Sequence, residues 1–335
     1  MLSSATLHVA PMRTAMADIL GIGENATDTL IHLPHFPVSD SALETLSTRV
    51  LPGGQVATAM IACQRWGLRT RYVGVVGDDS AAEMHQKVLR RSGVESHLIA
   101  VRNCISHQSV ILVDGKTGER TVLWKRDPRL RLRSSALRRD WVTSVRLLHI
   151  DGHDPEATII AARWARAAKI PVVADFDHVS PALLRLLPFV DFPVISRGFR
   201  RTGAGEQNLL RSLPRLKRKY GFRLICATLG VGGAVAWDGL RFWYAPSYRV
   251  RVVDSTGAGD LFHAGFAYGI LRGWDWQRVL EFSCAAGGLN CTALGARGDI
   301  RSEREVEALR RKGRCNPPVF SSTQLRRAAI TALRD

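Results

Sequence analysis

Residues 253–273 read VDSTGAGDLFHAGFAYGILRG, a run of small residues followed by an apolar stretch of helical length. In a turn built from Gly257, Ala258 and Gly259, backbone N–H groups can face inward at the start of a helix, where the dipole is positive. Such a nest suits a phosphate whose charge builds during transfer. Asp260 falls in the first helical turn, where its carboxylate can take a proton from a hydroxyl nucleophile. An ordinary glycine-rich loop with Asp260 as a helix-terminal acid would read the same way. The rest of the chain has to decide.

Upstream of this stretch, short apolar runs alternate with helical patterns. Strands are expected near ADILGIG at residue 20, RYVGVVG at 71, LLHIDG at 147, PVVADF at 171, FPVIS at 192 and LICATLG at 224. Amphipathic segments lie at about 54–66, 80–92, 155–169, 180–187 and 205–220, with long helices at about 258–272 and 276–293. That rhythm predicts a mostly parallel sheet with helices on both faces. Two stretches break it. CISHQSVILVDGKTGERTVLWKR, residues 104–126, reads as an antiparallel hairpin about Asp114–Gly118, and AVAWDGLRFWYAP, residues 234–246, as another about Asp238-Gly239. The first, with residues 29–50, is long enough to stand off the sheet as a lid. The domain is expected over 16–315, its lid drawn from about 29–50 and 101–127. A loose extension precedes it at 1–15, and a basic, weakly structured tail follows at 316–335.

Composition narrows the function classes. The 335 residues are 46% hydrophobic and 23% charged, which excludes wholesale disorder. No apolar run approaches the ~18 residues of a membrane span, and MLSSATLHVAPMRTAM lacks a secretory apolar core, so a cytoplasmic protein is expected. Six cysteines (63, 104, 226, 284, 291 and 315) form no CxxC pair and read as structural thiols. Forty-seven Lys and Arg against thirty Asp and Glu give a net charge of +17, which attracts polyanions. Zinc-finger, RNP-type and bZIP patterns are absent, so a solvated basic face, or one favouring anionic substrates such as ATP, is expected rather than specific nucleic-acid recognition.

Three other signals mislead. Gly21-Ile22-Gly23 starts like a dinucleotide fingerprint but lacks the third glycine. Gly115-Lys116-Thr117 ends like a phosphate loop, yet Val110 stands where the first glycine belongs and the site is a hairpin turn. His149, Asp151, His153 and Asp154 could ligate a metal, or could be a polar strand end beside a cleft.

The segment Asp254 to Asp260 resembles the second signature of the ribokinase-like, or PfkB, carbohydrate kinases, D-x-x-G-A-G-D. Four further stretches agree in order. Leu51-Pro52-Gly53-Gly54 followed by QVATAMIACQRWG is similar to the family's first signature. Gly23-Glu24-Asn25 with Asp28 resembles its N-terminal strand end, and Gly118-Glu119-Arg120-Thr121 lies where members carry a lid strand. Thr228-Leu229-Gly230-Val231-Gly232-Gly233 is similar to the turn beside the nucleotide. The likeness spans about residues 16–300.

The resemblance implies a ribokinase-like three-layer α/β sandwich with a small β lid, using ATP and Mg2+. Asp260 would be the catalytic base, with Gly257, Ala258 and Gly259 as the anion hole. Thr228, Gly230, Gly233 and Asp254 would lie at the nucleotide. Asn25, Asp28, Gly53, Gly54 and Thr58 would hold the acceptor, a small sugar, sugar acid or nucleoside. A homodimer through the lid and a monovalent cation (K+) near Asp254 and Thr256 would follow the family pattern. The chain also departs from that pattern. Thr58 replaces an asparagine, and Gln55 replaces the lysine of the GGKG variants, which argues against ribose and phosphosugars. The N-x-x-E element that helps order magnesium reads Ser196 and Phe199, with Arg197 between them. No metal ligand is assigned, and a non-catalytic relative acting as a nucleotide- or partner-binding regulatory protein is the alternative reading.

Overall fold

A computed structural model of the chain describes residues 17–177, 179–196 and 208–334. The N-terminal extension expected at 1–15, together with Arg197 and Phe199, lies outside the described residues. The first half carries β1 (Ile19–Ile22), β2 (Ala26–Leu33), β3 (Ser47–Gly53), α1 (Gln55–Arg65), β4 (Thr70–Val76), α2 (Ser80–Arg91), β5 (Glu95–Ala100), β6 (Gln108–Asp114) and β7 (Arg120–Lys125). After a short α3 (Arg139–Thr143) come β8 (Leu147–Asp151), α4 (Pro155–Ala167), β9 (Val172–Phe176), α5 (Pro181–Leu186) and β10 (Phe192–Ile195). The last third holds α6 (Leu209–Tyr220), β11 (Ile225–Thr228), β12 (Ala234–Trp237) and β13 (Phe242–Ala245). Four helices close the chain: α7 (Ala258–Leu271), α8 (Trp276–Asn290), α9 (Glu303–Lys312) and α10 (Ser322–Arg334).

Nine strands form the main sheet in the order β13-β12-β11-β10-β9-β8-β1-β4-β5. All neighbours pair in parallel from β5 to β11, while the β12–β13 hairpin runs antiparallel at one edge. The central strands are buried along their whole length, as a sheet covered on both faces requires. Successive residues feed opposite layers. In β1, Ile19 joins the core shared with α1, α7 and α8, while Leu20 and Ile22 join the core under α4, α5 and α6. This is the mostly parallel sheet with helices on both faces that the alternating pattern predicted, in the three layers that the resemblance implied.

The second sheet has four strands in the order β3-β2-β6-β7. Its small core, Leu30, Ile111 and Val113, packs on Leu51 and Leu294. Every residue of β7 is exposed, including Val122, Leu123 and Trp124. Arg126 anchors the end of this strand: Nη2 donates to both oxygens of Asp154 at 2.9 and 2.8 Å, and Nη1 to the His153 carbonyl.

The C-terminal stretch differs from expectation. The weakly structured tail expected from 316 is helical over α10, whose Ala329 is buried against the α6 side of the core. Arginines crowd its sequence, and a single fully buried alanine leaves little apolar periodicity to read. The preceding α9 begins with a capping box between Ser302 and Glu305. No helix among the described residues is long and apolar enough to cross a membrane.

Candidate active site

The site gathers where the parallel strands end and the lid overhangs them, the usual crevice of an open α/β sheet. Gly257 starts α7 with φ +77°, a left-handed conformation open to glycine at little cost. A Cβ there would collide with the Ala296 carbonyl. Gly259 is the opposite case: it is exposed, and a Cβ would meet nothing within 4 Å. The backbone at the start of α7 therefore faces open space, as an anion hole must.

Asp260, in the first turn of α7, is half-buried. Burial raises its pKa to about 7, helped by the carboxylates of Asp177, Asp28 and Glu24 and opposed by Arg120. Arg120 comes from the lid: its Nη1 donates to the Ser255 carbonyl at 2.5 Å, and Ser255 N donates to Gly118 O at 3.0 Å. The β6–β7 turn is thus bonded to the loop that precedes α7.

On the acceptor side, Asp28 is buried on β2 and accepts a hydrogen bond from Ser109 Oγ on the neighbouring β6. Burial raises its pKa to about 6. Gly53, paired with Ala26 across the β2–β3 ladder, lies against the Asp28 side chain, and any side chain there would overlap Asp28 Oδ2. Gly54 has φ +95° and caps α1 against the Asn25 backbone. The two glycines of the first signature thus serve close approach and a positive φ.

Three residues expected to touch ligand also bond inside the protein, with Asn25 Oδ1 buried and left without a partner among the described residues. Asn25 is buried, and its Nδ2 donates to Tyr72 Oη and Val75 O, both at 3.0 Å. Thr58 is fully buried, with its hydroxyl accepting from Arg297 Nε at 3.1 Å. Asp254 braces the loop: Oδ1 accepts from Thr256 N and Oγ1, and Oδ2 from Gly295 N. Thr256 O accepts from Asn290 Nδ2. The carboxylate considered for a monovalent cation is therefore already engaged. Asn25 and Asp254 satisfy buried backbone groups, while Thr58 satisfies a buried guanidinium.

On the nucleotide side, Thr228 ends β11 and its Oγ1 lies 3.5 Å from Ile195 O. Gly230, at φ +60°, faces open space, and Gly233, at φ +87°, packs where a Cβ would meet Ala245 O.

Sequence reasoning missed several participants. Arg297 reaches the acceptor side from the loop after α8, donating through Nη2 to Gly53 O at 2.7 Å as well as to Thr58. A lone arginine among small residues in TALGARGD was the available signal. Asp177, just past β9, accepts from Gln55 Nε2. Glu24 accepts from His107 and lies near His153; burial opposes its ionisation, but those two histidines and Arg126 hold its pKa down to about 2. Of the histidine–aspartate cluster read as a possible metal site, Asp151 instead accepts from Glu24 N at 2.6 Å and His153 N at 3.0 Å, and Asp154 binds Arg126. No metal-holding group of His, Cys, Asp and Glu occurs among the described residues.

Magnesium has to be tested against the residues present. Asp28, Asp177 and Asp260 are close enough for the other two carboxylates to raise the Asp260 pKa, and burial with Asp177 drives Asp175 well above its ordinary value. A divalent ion that prefers oxygen ligands relieves such crowding of negative charge, so these carboxylates suit an ion that brings further oxygen ligands with the nucleotide phosphates, although they form no ready-made ligand cluster among the described residues.

Comparison with known proteins agrees with this geometry. A nucleoside kinase of Methanothermobacter thermautotrophicus is 25% identical over 285 residues, covering 80% of this chain and 87% of that protein. Ribokinase of Bacillus subtilis is 27% identical over 304 residues, covering 88% and 99%. A crystal structure provisionally assigned as a ribokinase from Agrobacterium tumefaciens superposes with a TM-score of 0.82 at 26% identity, covering 89% of this chain and 98% of that one. The pattern of the pfkB family carbohydrate kinases matches residues 16–303, and the chain belongs to that family.

Proposed function

We propose that the protein transfers the γ-phosphoryl group of ATP to a hydroxyl of a small sugar, sugar acid or nucleoside. The observation that carries this reading is the nearness of Asp260, at the N-terminus of α7, to Asp28, close enough for one carboxylate to raise the pKa of the other. Asp28 accepts a hydrogen bond from the acceptor and orients it. Asp260 takes the proton of the attacking hydroxyl as its oxygen bonds to the γ-phosphorus, and the bond to the ADP oxygen breaks. Backbone N–H groups at Gly257, Ala258 and Gly259 face the charge that builds on the phosphoryl oxygens. Thr228, Gly230 and Gly233 form the wall for the nucleotide. When bound, Mg2+ neutralises phosphate charge, and the carboxylates of Asp177 and its neighbours are the groups to hold it. Arg120 ties the lid to Ser255, keeping water from competing as nucleophile. The exposed apolar face of β7 is where this reading seats a second copy of the chain.

The test is ATP consumption with Mg2+ across a panel of neutral sugars, sugar acids and nucleosides. Turnover with one acceptor class is expected. ATP binding without turnover on any acceptor would reject the kinase reading in favour of a regulatory relative.

The raised pKa of Asp260 sets the pH dependence. A base works only when deprotonated, so kcat/KM should rise with pH and level off above about 7. Below about 6, where Asp28 also protonates, the slope should steepen towards two protons. Initial rates between about pH 5 and pH 9 check this; a profile flat across that range would remove Asp260 from the role of base.

A further inference from the structure

A second hollow of about 770 Å3 lies behind the acceptor side, between β3, α1, α2 and the loop that follows α8. Four arginines from these four elements line it: Arg49, Arg65, Arg91 and Arg297. Its floor is apolar, with Leu51, Ile61, Val88 and Leu294. One acid lines it, Asp299, and that carboxylate is already bonded to Arg301 and to Thr292 Oγ1. Among the described residues no carboxylate pairs with Arg49, Arg65 or Arg91.

Arg65 and Arg91 end their helices, where a cation suits the helix dipole. That accounts for two of the four. It does not account for Arg49 on a strand, nor for Arg297, whose Nη1 is buried without a hydrogen-bond partner. Four arginines lining one hollow, with a single acid that is already engaged, give its surface a positive field that attracts an anion. Guanidinium matches phosphate in planar, paired hydrogen bonds, and the apolar floor suits a carbon skeleton.

We infer that this hollow is a binding site for a phosphomonoester of metabolite size, separate from the ATP and acceptor sites. Arg297 forms the wall between the hollow and the acceptor side, since it also holds Thr58 and the Gly53 carbonyl. The phosphomonoester therefore binds against a residue that supports the acceptor aspartate's neighbour.

Titration calorimetry on the full chain in low-salt buffer tests this, with ribose 5-phosphate, glucose 6-phosphate and fructose 1,6-bisphosphate as probes and ribose as the uncharged control. At least one phosphate ester should bind where ribose does not. In Arg65→Gln/Arg91→Gln its affinity should fall at least about tenfold, as expected for two lost charged hydrogen bonds. Both side chains are exposed and outside the kinase site, so circular dichroism and ATP turnover without the probe should match wild type. Binding of none of the three esters, or unchanged affinity in the folded double variant, would overturn the site.

Discussion

Asp260→Asn should leave a folded protein whose ATP-dependent turnover is lower by about a thousandfold, within the 10^2–10^4 range usual for a general base. The amide has nearly the shape of the carboxylate but cannot take a proton. Among the described residues Asp260 makes no side-chain hydrogen bond that shapes the loop, which is built by Asp254, Thr256 and Asn290. The change also removes a carboxylate that burial and three neighbouring acids hold in tension, so unfolding stability should hold or rise slightly. Nucleotide affinity should persist, because the anion hole is backbone. Parallel measurements of kcat, nucleotide binding and thermal unfolding decide it. A rate within a fewfold of wild type would mean that another group, or water, accepts the proton.

The two glycines of the anion hole should separate stability from function. In Gly257→Ala the new Cβ strikes the Ala296 carbonyl, and alanine must hold φ +77°. Left-handed strain and overpacking together should cost about 3 kcal/mol, seen as a lower denaturant midpoint. Gly259→Ala should do the reverse. Its Cβ meets no protein atom, and alanine is favoured over glycine in a helix by up to about 1 kcal/mol, so stability should be kept or improved. Turnover should nevertheless fall by about a hundredfold or more, since the methyl fills the space that the phosphoryl group must enter. Full activity in Gly259→Ala would show that the phosphoryl group does not approach α7 there.

Much of this was legible in the residues alone. The alternation of apolar runs and amphipathic stretches located β1, β4, β8, β9, β10 and β11 because a parallel strand buried on both faces has to be continuously apolar. Helices α1, α7 and α8 were visible for a related reason: their period is long enough to count. The strand β5, ESHLIA, was not, since it sits at the sheet edge and is only partly buried. The spacing from Asp254 to Asp260 and the Gly53-Gly54 pair pointed to phosphoryl transfer because close backbone approach and positive φ leave glycine little competition.

Tertiary structure decided which polar side chains remain available to a ligand. Asn25, Thr58 and Asp254 lie in the right motifs, but each satisfies a buried partner inside the protein, and no local pattern reports that a distant arginine or loop amide will claim it. Arg297 is separated from Thr58 by 239 positions in the chain, and Asp177 from Gln55 by 122. The sequence by itself determined the layers and the small second sheet, and pointed to Asp260. The long-range pairings, which depend on how the loops at one sheet edge close over one another, decided what surrounds the acceptor and left four arginines facing a common hollow.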